Sequence, residues 1–567
     1  MLYSKLVEIY EALSANTKRL EKTKILADFL KDLHESDKEV LYLMLGQIYP
    51  EYSEKKIGVS HQLAIKALAK ATATNEKEIV KEWKNIGDIG KVAEKLIKTK
   101  KQSTLDSHVL TTEKILNNLR KLPELEGKGS VEKKLSLIVE LLTSASSLET
   151  KYLIRTLIED LRIGIQDSTI KEALSQAFFD KDKEATKIIE SALDKSNDLA
   201  VVFKIAKKGR LKELEKVSIE IGKPIKVMLA QKVKNIHEGF EALGKPVAIE
   251  YKYDGFRLLI HKKDDNVTLF TRRLENATKQ FPEVVLYVKE YVKGDSFMLD
   301  AEIVGYDKKT KEYQPFQAIS QRIKRKHDIE KLKNELPVEI NVFDIVYYNG
   351  KSLINEPFEK RTAILKKIIK NHPYKIIAAK QIITKDEKKA EEFYKKALKD
   401  NQEGVMMKKL QAVYQPGKRV GHMLKIKPEE RDLDLIIIGA EYGKGKRVGW
   451  LSSFILACYD NGKYLEIGKV GTGIKEKTEQ GVSFDELTKK LKLYIIEEHG
   501  REVRIKPKLV VSVTYQEIQK SPTYSSGFAL RFPRFTALRP DRNPSDIATL
   551  SEVKKDYEKQ KRNWRYG

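Results

Sequence analysis

The sequence predicts a three-part chain: an all-α leader, a central α+β region and a small C-terminal β-barrel. Three observations carry this reading. Apolar residues recur at helical spacing from the start to about residue 220, where Ile221-Gly-Lys-Pro-Ile225 breaks the pattern. Beyond it the period shifts toward two, in β-branched and aromatic runs. A second shift at Pro428–Asp434 opens closely spaced short strands with Gly-rich connections. The expected domains are therefore 1–220, 221–429 and 430–567.

In the leader, Leu2, Leu6, Ile9 and Leu13 fall at steps of four, three and four, and Ile25, Phe29 and Leu33 repeat the step of four. Such stripes belong to amphipathic helices packed on one another. Pro50, Gly87–Gly90 and Gly127–Ser130 punctuate the pattern; the last offers free backbone amides at a helix start, suited to a DNA phosphate or to a plain helix N-terminus.

The central region opens on Glu250-Tyr-Lys-Tyr-Asp-Gly-Phe-Arg257, a polar patch between the apolar runs Val247–Ile249 and Leu258–Ile260. The Asp254-Gly255 turn leaves Lys252 where a strand ends, at the rim of a sheet. A lysine is nucleophilic only when neutral, and its ordinary pKa of about 10.4 keeps it protonated, so it needs cationic neighbours or desolvation. Arg257, across the turn, is placed to hold one phosphate together with Lys252. Val267–Thr271, Phe297–Gly305 and Val338–Val346 read as further strands of an antiparallel core. Asp300 and Glu302 share a strand face, as do Lys425 and Lys427. Glu302 and Glu403 with Lys252, Lys425 and Lys427 form a plausible cage, hard carboxylates for Mg²⁺ and ammonium groups for phosphates. Taken singly, each also suits a half-exposed strand with charges facing water.

After Pro428, runs at Leu435–Ala440, Phe454–Tyr459, Tyr464–Val470 and Leu509–Tyr515 suggest about five strands of a Greek-key OB-type barrel, a fold that commonly grips nucleic acid. A helical tail follows from about Pro544.

Composition narrows the function. An excess of 26 positive charges points to a polyanionic partner. The single cysteine, Cys458, excludes an internal disulfide framework and a cysteine zinc site. No signal-like or membrane-spanning run is present, so a cytoplasmic protein is expected.

Seven motifs then stand in order: KYDGFR at 252–257, TRR at 271–273, DAEIV at 300–304, FDI at 343–345, EGVMMK at 403–408, LKIK at 424–427 and RFPR at 531–534. Their order resembles the covalent nucleotidyltransferase superfamily and, more narrowly, archaeal ATP-dependent DNA ligases, similar to the eukaryotic replicative type. LRIG at 161–164, PIKVMLAQ at 224–231 and RRLEN at 272–276 extend the resemblance over essentially the whole chain. Met423 stands where many relatives carry an aromatic residue. The resemblance implies a monomeric enzyme that seals nicks in duplex DNA in replication, repair and recombination, using ATP and Mg²⁺. It implies that Lys252 becomes adenylated, that Phe343 stacks on adenine with Glu250 beside the base, and that Arg257 and Glu302 lie near the ribose. It places Arg272 and Arg419 at the ribose or phosphates, Lys425 and Lys427 at the phosphates, and Glu302 and Glu403 nearest the metal. Arg531 and Arg534 of the barrel are implied to assist adenylation by closing over the nucleotide. The helical leader is implied to hold the duplex. Gln102–Leu105 is similar to a sliding-clamp-binding peptide, with His108 and Val109 where its aromatic pair is expected. Two alternatives share fewer of these features. An RNA ligase or mRNA-capping nucleotidyltransferase would carry the lysine motif without the long helical leader and RFPR, and a non-catalytic DNA-bridging protein would need neither Lys252 nor the acidic strands.

Overall fold

Tyr3, Leu6, Val7, Tyr10 and Leu13 form the buried face of the first helix, Tyr3–Ala15. They do so in a computed structural model that describes all residues other than 54, 100–108, 128, 317, 320, 321, 323–328, 429, 430, 477, 478, 480 and 567. The stripe is rotated from the expected one: Leu2 is exposed and Ile9 half-buried. Tyr10 is drawn inward because its hydroxyl donates to the Leu43 carbonyl at 2.8 Å and its ring packs 4.8 Å from that of Tyr152. Helices continue through Leu211–Glu215. Local signals start several of them; Ser146, for example, caps Ser147–Leu157 in a reciprocal box with Glu149.

The described residues form two compact units, Met1–Ala73 with Leu96–Lys427, and Thr74–Lys95 with Pro428–Gly567. In the first unit, Lys226 ties the leader to the central region, its ammonium 2.8 Å from Glu51 and 3.0 Å from Asp167. At the expected break, Gly222 donates its N–H to Nδ1 of the buried His261 at 3.0 Å, and burial pushes the imidazole down to about 3.

The central region contributes, among the described residues, β1 (Leu229–Lys232), β2 (Val247–Lys252), β3 (Phe256–Lys263), β4 (Asn266–Thr271), β5 (Ser296–Tyr306), β6 (Tyr313–Gln314), β7 (Val338–Tyr348), β8 (Lys351–Ser352), β9 (Ile376–Ala378), β10 (Gln381–Thr384), β11 (Gly404–Lys409) and β12 (Arg419–Ile426). One sheet runs β1-β12-β11-β2-β10; the other runs β4-β3-β5-β7-β8, with β6 on β5 and β9 on β7. Pairing is antiparallel apart from β1 with β12 and β7 with β9. Leu259, Met298 and Val346 of the second sheet and Met423 of the first join one apolar cluster between them. Met406, which pairs in register with Glu250 of β2, packs against that cluster.

In the second unit, β13 (Arg431–Tyr442), β14 (Leu451–Asp460), β15 (Lys463–Val470), β16 (Ile495–His499), β17 (Glu502–Ile505), β18 (Val510–Tyr515) and β21 (Arg534–Leu538) form a seven-stranded sheet, richer than the five or so strands expected. Its first half pairing β13 with β18 and its second half pairing β13 with β17, the sheet curls around Phe454, Leu456, Phe484 and Val511. β19 (Glu517–Lys520) and β20 (Phe528–Arg531) form a hairpin beside it. The helix Leu550–Tyr566 seals that hairpin, Gln560 bonding both the N–H and the carbonyl of Ile518. No helix among the described residues is long and apolar enough to cross a membrane.

Candidate active site

Lys252 is the last residue of β2, a strand buried between β10 and β11. Alternation turns Ala248, Glu250 and Lys252 to one face and sends Val247, Ile249 and Tyr251 into the opposite core. The Lys252 ammonium forms an ion pair with Glu403, which also lies 2.5 Å from the Lys427 ammonium. The next residue, Gly404, has φ +143°, and a Cβ there would meet the Ile426 carbonyl at 2.1 Å. Only glycine allows this approach of β11 to β12, which keeps Glu403 between the two lysines. Burial raises the Glu403 carboxyl, but Lys252 and Lys427 overcome that rise and hold it at about 2. Lys425 pairs in register with Met406, which itself faces Glu250. Burial, with Lys427, Lys252 and Arg419 nearby, lowers Lys425 below the ordinary lysine value.

The facing row on the second sheet is Arg257, Glu302 and Asn341. Arg257 is engaged by the protein itself. Its Nε and Nη2 donate to the fully buried Asp300 at 2.7 and 2.5 Å, and Nη1 donates to the Met228 carbonyl at 2.8 Å. The acid that captures it lies on the neighbouring strand β5, and Tyr414 donates to the same carboxylate at 2.8 Å. Burial pushes the Glu302 carboxyl up to about 8, against the opposing charges of Lys252 and Arg257 and with that of Glu403.

These values test whether Mg²⁺ suits the site. Glu302 of β5 and Glu403, just before β11, feel the same Lys252 and repel each other, an arrangement a hard cation relieves. No group of three His, Cys, Asp or Glu side chains able to hold a metal occurs among the described residues. A pair of carboxylates completed by phosphate oxygens and water is the usual Mg²⁺ environment, so the residues fit.

Glu250 lies deeper, 2 % exposed. Its Oε2 is 2.6 Å from the Lys408 ammonium and its Oε1 accepts from Gln381 Nε2 at 2.8 Å. Lys408 sits 4.9 Å from the ring centre of the half-buried Phe343, which also has the Arg257 guanidinium 5.2 Å from it. Asp344, next in the chain, is held by Arg361 through two bonds at 2.7 and 3.0 Å.

The remaining candidates are placed as follows. Arg419 anchors to the Ala230 carbonyl at 2.7 Å, and Arg272 is exposed just beyond β4. Arg531 and Arg534 belong to the other unit. There Arg531 donates to Glu517 at 2.9 Å and its guanidinium sits 5.2 Å from the Phe532 ring, while Arg534 is exposed at the start of β21. Phe532 between them has φ +52°, an uncommon conformation for a non-glycine residue. Gln102–Leu105 lies outside the described residues. Sequence reasoning missed Lys408, Gln381, Arg361 and Tyr414; only Lys408 sits inside a quoted motif, EGVMMK. It also missed Asn341, wholly buried with neither side-chain amide atom partnered.

Three family models match the chain: "DNA ligase N terminus" at residues 2–175, "ATP dependent DNA ligase domain" at 227–427 and "ATP dependent DNA ligase C terminal region" at 447–542. The chain is 44 % identical to a DNA ligase of Nanoarchaeum equitans and 40 % identical to one of Thermococcus onnurineus, each over 565 residues covering 99 % of both chains. A solved structure titled Pmar-Lig_PreS3 shares the fold at TM-score 0.58 and 19 % identity, covering 94 % of this chain and 99 % of that one.

Proposed function

The chain belongs to the ATP-dependent DNA ligase family, and from that premise we propose how its residues seal a nick. Lys252 Nζ attacks the α-phosphorus of ATP; a P–N bond forms, the bond to the bridging oxygen of the β-phosphate breaks, and pyrophosphate leaves. A 5′-phosphate oxygen at the nick then attacks the same phosphorus, freeing Lys252 and leaving AMP on the DNA end. The 3′-hydroxyl finally attacks the 5′-phosphate, and AMP departs as the strand closes.

Glu403 orients the Lys252 ammonium before the first step. Lys252 and Lys427 together hold Glu403 ionised, so the proton that leaves Lys252 passes to solvent. Lys425 and Lys427 meet the charge that develops on the phosphates. Adenine stacks on Phe343 with its amino group toward Glu250, and the ribose lies by Arg257, Glu302, Arg272 and Arg419. Glu302 and Glu403 would hold Mg²⁺, which when bound supplies positive charge to phosphate oxygens. Arg531 and Arg534 reach the departing pyrophosphate after the 430–567 domain closes over the 221–429 domain, while domain 1–220 holds the duplex. The enzyme works as a cytoplasmic monomer, and Gln102–Leu105 serves as a sliding-clamp contact.

The observation that supports this reading most is one lysine at a strand rim, ion-paired to a carboxylate shared with Lys427. The test is incubation with α-labelled ATP: the full chain acquires label and Lys252→Ala does not.

A further inference from the structure

We propose that Lys408 selects the base: its ammonium keeps Glu250 a pure hydrogen-bond acceptor, so the pocket takes a 6-aminopurine and rejects a 6-oxopurine. This rests on the reading above that places adenine between Phe343 and Glu250.

The geometry isolates Lys408 for that task. It is 4 % exposed, its Nζ lies 2.6 Å from Glu250 Oε2, and it donates to the Phe343 carbonyl at 3.3 Å. Phe343 and Phe358 flank the ammonium, with ring centres at 4.9 and 4.5 Å. Gln381 holds the other carboxylate oxygen, and its orientation is fixed because its own Oε1 accepts from Lys366 at 2.8 Å. Both neighbours of the carboxylate are therefore donors, and it never needs to donate in return.

A carboxylate has about four acceptor positions. Two are used, which leaves room for an exocyclic amino group. A protonated carboxyl could instead donate to a carbonyl at the same place, so ionisation decides which purine is matched. Burial raises Glu250 and Lys408 opposes the rise. The other groups that bear on Glu250 are Asp344 on β7, Arg361 on the helix Phe358–Ile368 and Tyr253 beyond β2. Arg361 is paired with Asp344, and among the described residues the ammonium in direct contact with Glu250 is that of Lys408.

The experiment measures self-adenylation of the full chain with α-labelled ATP and GTP from about pH 6 to pH 9, with melting temperatures as a control for folding. Wild type should prefer ATP with a KM that is flat across this range. Lys408→Met should lower the ATP-to-GTP ratio at least about tenfold and raise the KM for ATP about tenfold at low pH, recovering as pH rises, with kcat moving less. Lys408→Arg should restore much of the preference. If Lys408→Met fails to fold, Glu250→Gln with Lys408→Met leaves no buried charge uncompensated and should match Glu250→Gln alone.

A wild-type ratio and a pH-flat KM in Lys408→Met would overturn the proposal, as would a double variant far less selective than Glu250→Gln. If Glu250→Gln itself keeps the wild-type ratio and KM, the placement of adenine has failed instead.

Discussion

Replacing Arg257 with alanine tests whether this nucleotide-side residue is also a strut of the sheet. Its guanidinium makes two bonds to Asp300, whose side chain is wholly buried, and one to the Met228 carbonyl; the arginine side chain is itself 16 % exposed. Removing one member of a buried pair strands the other charge, at a cost of about 3–5 kcal/mol. Tyr414 still donates to Asp300, which keeps the expected loss toward the lower end, about 3 kcal/mol. Urea unfolding of Arg257→Ala, Asp300→Asn and the double variant gives the measurement, and the double should cost less than the two singles together by about 1–3 kcal/mol. Arg257→Ala within about 0.5 kcal/mol of wild type, but with adenylation abolished, would refute the reasoning: the arginine would then act on the nucleotide alone and not also as a strut for Asp300.

Three further outcomes follow from the same geometry. Glu403→Ala leaves Lys252 and Lys427 without their shared carboxylate and should slow adenylation by about two to three orders of magnitude while raising the Mg²⁺ needed, read from a metal titration of label incorporation; an unchanged rate and metal requirement would remove Glu403 from the site. His261 is held neutral at about 3 in the folded chain against about 6.5 unfolded, so the unfolded state binds the extra proton and stability falls as pH drops through the window from 6.5 to 3. His261→Gln should thus lose about 2 kcal/mol less than wild type between pH 7 and pH 5 in urea denaturation, and equal losses would show that His261 titrates normally. Arg531→Ala should slow self-adenylation by about one to three orders of magnitude and act far less on a nick supplied already adenylated; equal slowing on both substrates would tie Arg531 to folding or to DNA binding throughout.

Lys252 was legible because its setting is local: an apolar run, a polar interruption and an Asp-Gly turn define a strand end within ten residues. The partners of Glu250 were not. They arrive from β10 and β11, 131 residues away for Gln381 and still further for Lys408, and strand order leaves no trace in periodicity. The partner of Arg257 is equally hidden from the sequence. Asp300 was visible in the DAEIV motif, but only the register of β3 on β5 shows that it captures the arginine. The buried stripe of the first helix is rotated from its aliphatic pattern, because Tyr3 and Tyr10 bury aromatic bodies that such a pattern does not count.

The most direct test of the whole account is a pulse of α-labelled ATP on the full chain followed by a chase with nicked duplex. The account predicts label on the wild-type protein, its passage to the 5′-phosphate of the nick and its release as AMP with a sealed strand, and no label on Lys252→Ala. Label on Lys252→Ala at the wild-type level, or label on wild type that never leaves for the nick, would contradict it.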